Sequence, residues 1–397
     1  MKFKFLIYLL GNVIFGFSQW FAILLFIKFG TGQELGAYTY SIALIAPLIL
    51  LFSFGYNTMI VTNNEISKGV YFYSRCIFSF ILLIVYTSII FINFGLSSQF
   101  IGLAIIVAIA KILENVLDID FAYLIKSKQQ YKVGIYKLWM SALQILLLLV
   151  FMYFLKNPFL PFLLYSLVLA IVILVKNVNK IKSYNDVSLA GIKMSIVIGF
   201  PISITLFLSS LNTNIPKYIL EYFTDLVFVG VFSSLLIIYS AGNTFFFSVY
   251  NFMLPKIVEN KSNKPFLNKI LRNILLGGLA MIIIVAITAP FVLDPLMKLL
   301  YNDSFLKYKG EFLLMIFSSI LVYLSILLDL FINAHKKYKA NTKIQIISVA
   351  LVLLSSFLFI PEFKIWGAAI AFCTFGVAGF ALKFVYSLII IRSVEHE

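Results

Sequence analysis

The sequence predicts an all-α polytopic membrane protein, with about twelve spanning helices in two six-helix bundles and both termini cytoplasmic. Of its 397 residues 62% are apolar and 12% charged, with a mean hydropathy of +1.03, a balance that belongs to integral membrane proteins rather than soluble domains. At about 20–25 residues per span plus short links, the chain holds about twelve helices and leaves no room for a soluble catalytic domain. The third observation is that basic residues collect on one side of those helices.

Apolar runs place the spans near 5–27, 36–61, 71–93, 100–124, 135–155, 159–175, 193–219, 227–253, 270–293, 311–334, 344–360 and 367–391. An even number puts both ends on one side. That side carries 22 of the 31 Lys and Arg residues, the other carries 7, and Lys111 and Lys383 lie inside spans. The positive-inside rule makes the richer side cytoplasmic. The formal net charge of +15 is therefore read as topology, and no nucleic-acid partner is expected. Cys76 and Cys373 sit in apolar runs as small buried residues, so neither thiol chemistry nor a metal site is expected.

In the first span, the uncharged run from Phe5 to Ile27 follows Lys2 and Lys4. It is longer than a signal-peptide core and lacks a small-residue cleavage site, so it reads as a permanent span. Asn12 and Gln19 are seven residues apart, about 20° from each other on one face, as interhelical hydrogen bonds or cavity lining require. The second span contains Pro47 and ends in Tyr56-Asn57-Thr58-Met59; a short external link, Asn93 to Gln99, joins spans three and four.

Span four departs from the pattern. Lys111, Glu114, Asn115 and Asp118 fall within an arc of roughly 100° on one helix face. A charge near the bilayer centre costs at least about 2.5–3.5 kcal/mol, so this face must look at other helices or at water. Lys111 and Glu114 read either as a self-neutralising i,i+3 ion pair or as part of a cavity wall. Asp118 has no partner in its own helix except Lys111. Asp120 points to another side, near the interface, where solvation accounts for it.

Spans five and six read as apolar and uninformative. The link from Lys176 to Lys193 is a connector between an N-terminal half, 1–180, and a C-terminal half, 181–397. The second half echoes the first. Leu35-Gly36-Ala37-Tyr38 matches Val229-Gly230-Val231-Phe232 and Tyr56-Asn57-Thr58-Met59 matches Tyr250-Asn251-Phe252-Met253, both 194 residues apart. Tyr131-Lys132 and Ser141 match Tyr338-Lys339 and Ser348 at 207 residues, with the extra 13 absorbed in the external link Asp294 to Gly310. Agreement over several landmarks points to two six-helix repeats in the same orientation.

Span seven carries Gly199-Phe200-Pro201 and Asn214-Ile215-Pro216-Lys217-Tyr218, whose prolines predict a bent or broken helix. Asn212 and Lys217 sit toward its outer mouth, Lys217 either lining a cavity or snorkelling to the interface. Asp329 and Asn333 stand four apart near the cytoplasmic end of span ten, and Lys383 lies in the inner part of span twelve. Interface solvation of Asp329 and snorkelling of Lys383 are the alternatives to cavity lining. Glu395-His396-Glu397 is a solvated tail.

With the two proline strings of span seven, Tyr338-Lys339 after span ten, and Trp366-Gly367-Ala368-Ala369-Ile370-Ala371 opening span twelve, the chain resembles the Wzx-type polysaccharide flippases. These belong to the multidrug/oligosaccharidyl-lipid/polysaccharide (MOP) exporter superfamily. The resemblance implies two V-shaped six-helix bundles, of the kind found in MATE exporters, that alternate access. It implies translocation of an undecaprenyl-pyrophosphate-linked oligosaccharide to the outer leaflet of a bacterial cytoplasmic membrane. The product would serve O-antigen or capsule synthesis. Such a protein is not an enzyme and needs no cofactor beyond a coupling Na+ or H+; its partners would be the lipid-linked substrate, membrane lipid, a polysaccharide polymerase and chain-length machinery.

The residues fit that task. A pyrophosphate in a desolvated cavity needs cations, which Lys111, Lys217 and Lys383 could supply. A sugar chain needs amides, and Asn12, Gln19, Asn212, Asn243 and Asn251 are candidates. Glu114, Asp118 and Asp329 would repel phosphate and are the candidates for the coupling ion. A peptidoglycan-precursor flippase is the nearest rival, but its first span carries a basic residue, whereas nothing basic stands between Lys4 and Lys28. It also usually has two extra spans. A drug/cation antiporter would need no cationic wall. A polymerase or membrane glycosyltransferase would need a larger external loop or acidic catalytic motif than this chain offers.

Overall fold

The computed structural model describes residues 2–62, 66–93, 98–181, 187–301 and 303–393. Most of the link from Asn93 to Gln99, Lys182 and the tail Glu395-His396-Glu397 fall outside the described residues, as do the side chains of Thr58, Asn251 and Tyr338.

Apolar runs of this length form helices because in hydrocarbon every backbone N–H and C=O must find its partner within the segment. The helices are α1 (Lys2–Phe29), α2 (Gly32–Phe52), α3 (Tyr56–Thr62), α4 (Lys68–Asn93), α5 (Ser98–Lys126), α6 (Gln130–Tyr153) and α7 (Phe159–Ile181). They continue with α8 (Leu189–Phe223), α9 (Leu226–Leu235), α10 (Ile237–Glu259), α11 (Lys264–Leu300), a 3-10 segment (Asp303–Tyr308), α12 (Lys309–Ala334), α13 (Tyr338–Phe363) and α14 (Ile365–Ser393). Among the described residues there are eleven helices long and apolar enough to cross a membrane; α9 and α10, bent by 42° at their junction, make a twelfth. The predicted all-helical, multi-pass class is met.

The breaks fall where the sequence did not predict them. α8 is continuous over 35 residues and runs through both Pro201 and Pro216. A proline removes one bond of the ladder, and a helix this long keeps the turns on either side. Span two is instead divided between α2 and α3, where Phe54 (φ 47°) and Gly55 (φ 59°) take left-handed conformations. For Phe54 this costs about 1–2 kcal/mol. The link that follows Asp294 is also largely helical, since α11 extends to Leu300 with Pro290 and Pro295 inside it. Lys309 meets Asp294 across that link at 2.6 Å, an exposed pair of little energetic weight.

The chain forms two compact units, Met1–Ser210 and Leu211–Glu397, so the boundary falls within α8. In the first unit α1 and α6 run parallel in close contact. Gly11 and Gly134 make this possible, because a methyl group on Gly134 would overlap the Ile7 carbonyl. Small residues at such a crossing are how membrane helices gain packing energy without a hydrophobic drive. In the second unit α14 packs along α12, with Gly376 against the Ser318 carbonyl and Gly379 against Ser325. Helix starts are fixed locally: Thr31 and Glu34 form a capping box on α2, Asp225 caps α9, and Asn263 caps α11.

Candidate functional site

In the first unit, the polar face of α5 meets polar groups from four other helices. Lys111 Nζ donates to Glu114 Oε2 at 2.9 Å and to Gln19 Oε1 of α1. Gln19 Nε2 donates in turn to Gln144 Oε1 of α6 at 2.9 Å, which also accepts from Ser18 at 3.3 Å. The second carboxylate oxygen of Glu114 accepts from Tyr165 Oη of α7 at 3.0 Å. Both oxygens of Glu114 are thus engaged, and the Lys111 and Glu114 side chains are 18% and 13% exposed. The i,i+3 pair anticipated from sequence is present, and it is embedded in a network that reaches α1, α6 and α7.

One turn further along α5 lies a second group. Arg75 of α4, 1% exposed, donates through Nη1 to Asn115 Oδ1 and through Nη2 to the Ser53 carbonyl at 3.2 Å. Its guanidinium stands 5.3 Å from the Tyr56 ring centre. Lys137 Nζ of α6 donates to Asn12 Oδ1 at 2.7 Å. Asp118 lies in the field of Lys137, Arg75 and Glu114.

Several sequence expectations are corrected here. Asp118 does not depend on Lys111 for its countercharge, because α4 and α6 supply cations. Asp120 is not a solvated interface residue: it is buried and accepts from Lys68 Nζ at 2.7 Å. Its burial is tolerated because the pair compensates its charge. Spans five and six are not uninformative, since they provide Lys137, Gln144 and Tyr165. Arg75 and Lys137, counted from sequence as cytoplasmic charges, belong to the polar wall. A signal for Lys137 and Gln144 did exist: they stand seven apart on one helix face, the same spacing as Asn12 and Gln19, with which they pair. Arg75 had no such signal, lying within a turn or two of the end of its span.

In the second unit Lys383 neither snorkels nor stands alone. It is 4% exposed and donates to Asp329 Oδ2 at 2.7 Å, bridging α14 and α12. Asp329 is accordingly not solvated at the interface. Asn333 donates to Tyr250 Oη at 2.7 Å. Asn212 Nδ2 donates to Gln345 Oε1 at 3.0 Å, repeating between α8 and α13 the amide contact that Gln19 and Gln144 make between α1 and α6. Lys217 donates to Asn214 Oδ1 at 3.3 Å within α8, and Asn243 is half-buried on α10.

The structure therefore gathers Asn12, Gln19, Lys111, Glu114 and Asp118 in one cluster, and pairs Lys383 with Asp329 in the other unit. The first cluster holds three cations, Arg75, Lys111 and Lys137, against two carboxylates, Glu114 and Asp118. A surplus cation held among helices favours an anion in that place. Among the described residues no three His, Cys, Asp or Glu side chains come together as a metal site.

A multi-pass bundle of apolar helices of this kind is shared with solved transporter structures. The chain is similar to the lipid II flippase MurJ in its inward closed conformation, with a TM-score of 0.76 at 14% identity, covering 98% of this chain and 90% of that one. It is also similar to a multidrug resistance MATE family transporter of the MOP superfamily in its inward-facing conformation. There the TM-score is 0.70 at 16% identity, over 98% and 96% of the two chains. In sequence it is 24% identical over 368 residues to the capsular polysaccharide biosynthesis protein CapF of Staphylococcus aureus, covering 91% of this chain and 92% of CapF. No protein-family profile matches the sequence. The MOP exporter fold expected from the sequence is present, and the relation to a capsular polysaccharide protein extends over nearly the whole chain.

Proposed function

We propose that the protein is a flippase of the MOP superfamily that moves polyprenyl-pyrophosphate-linked oligosaccharides from the cytoplasmic to the outer leaflet of a bacterial cytoplasmic membrane, for capsule or related surface polysaccharides. The observation that carries this is the net cationic cluster of buried Arg75 with half-buried Lys111 and Lys137, in a chain with the MOP fold and an end-to-end capsular relative. An apolar drug gives no reason to hold a surplus cation among helices, whereas a pyrophosphate does.

In this reading the spans of the two repeats, 1–180 and 181–397, form the bundles that alternate access, with both termini cytoplasmic. In the first unit Arg75, Lys111 and Lys137 bind the diphosphate and Asn12 and Gln19 bind sugar hydroxyls; Lys217, Lys383 and Asn212 are the second unit's candidates for the same roles. Asp118 is the group that responds to a Na+ or H+ gradient. Glu114 and Asp329, each held by a lysine at hydrogen-bond distance, are the second-choice coupling groups. A polymerase and chain-length machinery would act on the product. The chemistry is movement without bond making, so no enzymatic step is assigned.

Depletion in the native cell tests this reading. Lipid-linked repeat units should accumulate on the cytoplasmic leaflet while peptidoglycan synthesis continues. Accumulation of peptidoglycan precursor instead would favour the MurJ-like role, and accumulation of neither would remove the flippase assignment.

A further inference from the structure

The first turns of α4 bury a polar face. Tyr71, Ser74 and Arg75 stand at i, i+3 and i+4, within an arc of roughly 100° on the helix. They are 0%, 0% and 1% exposed, and Tyr71 Oη, Ser74 Oγ and Arg75 Nε have no hydrogen-bond partner among the described residues. Leaving a buried polar group unpaired costs free energy, so three on one face mark a place that accepts the polar atoms of something else. The rest of the guanidinium is bonded to neutral oxygens, Nη1 to Asn115 Oδ1 and Nη2 to the Ser53 carbonyl.

Tyr56 lies over this face. Its ring meets that of Tyr71 edge-on with centres 5.2 Å apart, and the Arg75 guanidinium stands 5.3 Å from its centre. Tyr56 opens α3, a helix of seven residues joined to α2 through the left-handed pair Phe54 and Gly55. Its Oη is tied to Ser195 Oγ of α8 at 3.0 Å. A helix this short has little stability of its own, and a non-glycine residue in a left-handed conformation keeps it only while its surroundings hold it there. The cover on the α4 face is therefore its movable part, and it turns at the Phe54–Gly55 joint.

We infer that Tyr71, Ser74 and the Nε edge of Arg75 form a phosphate-binding face, covered by Tyr56 in this arrangement and uncovered when α3 turns on the Phe54–Gly55 joint. The inference rests on the proposed role of Arg75 as a diphosphate ligand, and it adds Tyr71 and Ser74 to that role. The chemistry selects an anion, because a guanidinium only donates and both hydroxyls can donate as well. Nε–H and Nη2–H, side by side on one edge, match two oxygens of a single phosphate. A metal cation would meet the positive charge of the guanidinium instead. To occupy that edge the phosphate must displace the carbonyl of Ser53, the last residue before the joint. Binding the anion and releasing α3 are thus one event.

Calorimetric titration of the full chain in lipid nanodiscs with inorganic pyrophosphate, alongside thermal unfolding, tests this without transport. Tyr71→Phe and Ser74→Ala each remove a hydroxyl that is unpaired here and paired in the bound state. Each should weaken pyrophosphate binding about tenfold, the loss expected for one hydrogen bond to a charged group, and leave the unfolding temperature at or above the parent's. A merely structural hydroxyl would do the reverse. Arg75→Lys keeps the charge but not the planar edge, and should weaken binding about tenfold as well. Ser195→Ala unties Tyr56 and should strengthen binding. Parent-like affinity in the hydroxyl variants would mean that these groups meet only water, and it would overturn the inference. A lowered unfolding temperature in those variants, unchanged affinity in Ser195→Ala, or no pyrophosphate binding by the parent would each overturn it too. Absence of flipping in vesicles by a parent that binds pyrophosphate in this way counts against the transport reading alone.

Discussion

Lys383 and Asp329 face each other at 2.7 Å between α14 and α12, with 5% and 17% of their side chains exposed. Two charges removed from water this far are mutually dependent, because either one alone would remain as an uncompensated ion among apolar helices.

Lys383→Met should therefore destabilise the protein by about 3 kcal/mol, and the pair Lys383→Met with Asp329→Leu should recover most of that loss. Thermal unfolding in detergent micelles reads both. Equal destabilisation in the single and double variants would show that the pair is not what holds these helices together.

The Lys111–Glu114 pair calls for the same comparison with a different readout. Lys111→Met strands Glu114, whereas Lys111→Met with Glu114→Gln leaves no unpaired charge. Stability should return in the double variant. Export of surface polysaccharide should not, because the proposal gives Lys111 a diphosphate to bind as well as Glu114. Full recovery of export would reduce the lysine to structural neutralisation.

The sequence made the fold legible and the site only partly so. Long apolar runs have one solution in a bilayer, so twelve spans could be counted from hydropathy alone. The α5 face was equally visible, because four polar residues on one arc of an apolar helix have no reading in lipid. What stayed hidden were the partners from other helices. Arg75 and Lys137 lie near span ends, where a basic residue is ordinarily explained by the cytoplasm, and only packing shows Arg75 buried against Ser53 and Asn115. Asp120 was misread for the same reason, since its partner Lys68 is 52 residues away. The break at Phe54 and Gly55 was missed because the prolines of α8 offered a more obvious place for one, and backbone strain follows contacts that the sequence does not display.

Packing of α1 on α6 should depend on Gly134. Gly134→Val would push against the Ile7 carbonyl and Tyr8, separating the helices and parting Lys137 from Asn12. A loss of about 2 kcal/mol or more in stability is expected, in the range of overpacking effects, together with loss of export. Gly16 has open space beside it, so Gly16→Ala should behave as the parent does. Parent-like stability in Gly134→Val would mean that the crossing has slack.

The excess of basic residues on one side, 22 against 7 by sequence and still about 20 against 7 with Arg75 and Lys137 taken into the polar wall, predicts the orientation. Reporter fusions after Lys132, Lys261 and Lys339 should report the cytoplasm, and those after Lys156, Asp225, Asp303 and Glu362 the exterior. A fusion after Lys182 should report the cytoplasm and one after Phe94 the exterior. One contrary interior loop would break the twelve-span topology.

In the proposed mechanism the protein flips a lipid-linked oligosaccharide and Asp118 couples the movement to an ion gradient. The direct measurement is flipping of a fluorescent polyprenyl-pyrophosphate oligosaccharide in reconstituted vesicles, with and without a sodium or proton gradient. The parent protein should flip faster with one of the gradients. Asp118→Asn should bind substrate normally but lose that stimulation, and Asp120→Asn, whose carboxylate is paired with Lys68 away from the cluster, should keep it. Absence of flipping by the parent under any gradient would contradict the transport assignment, and undiminished stimulation in Asp118→Asn would move the coupling to Glu114 or Asp329 or remove it altogether.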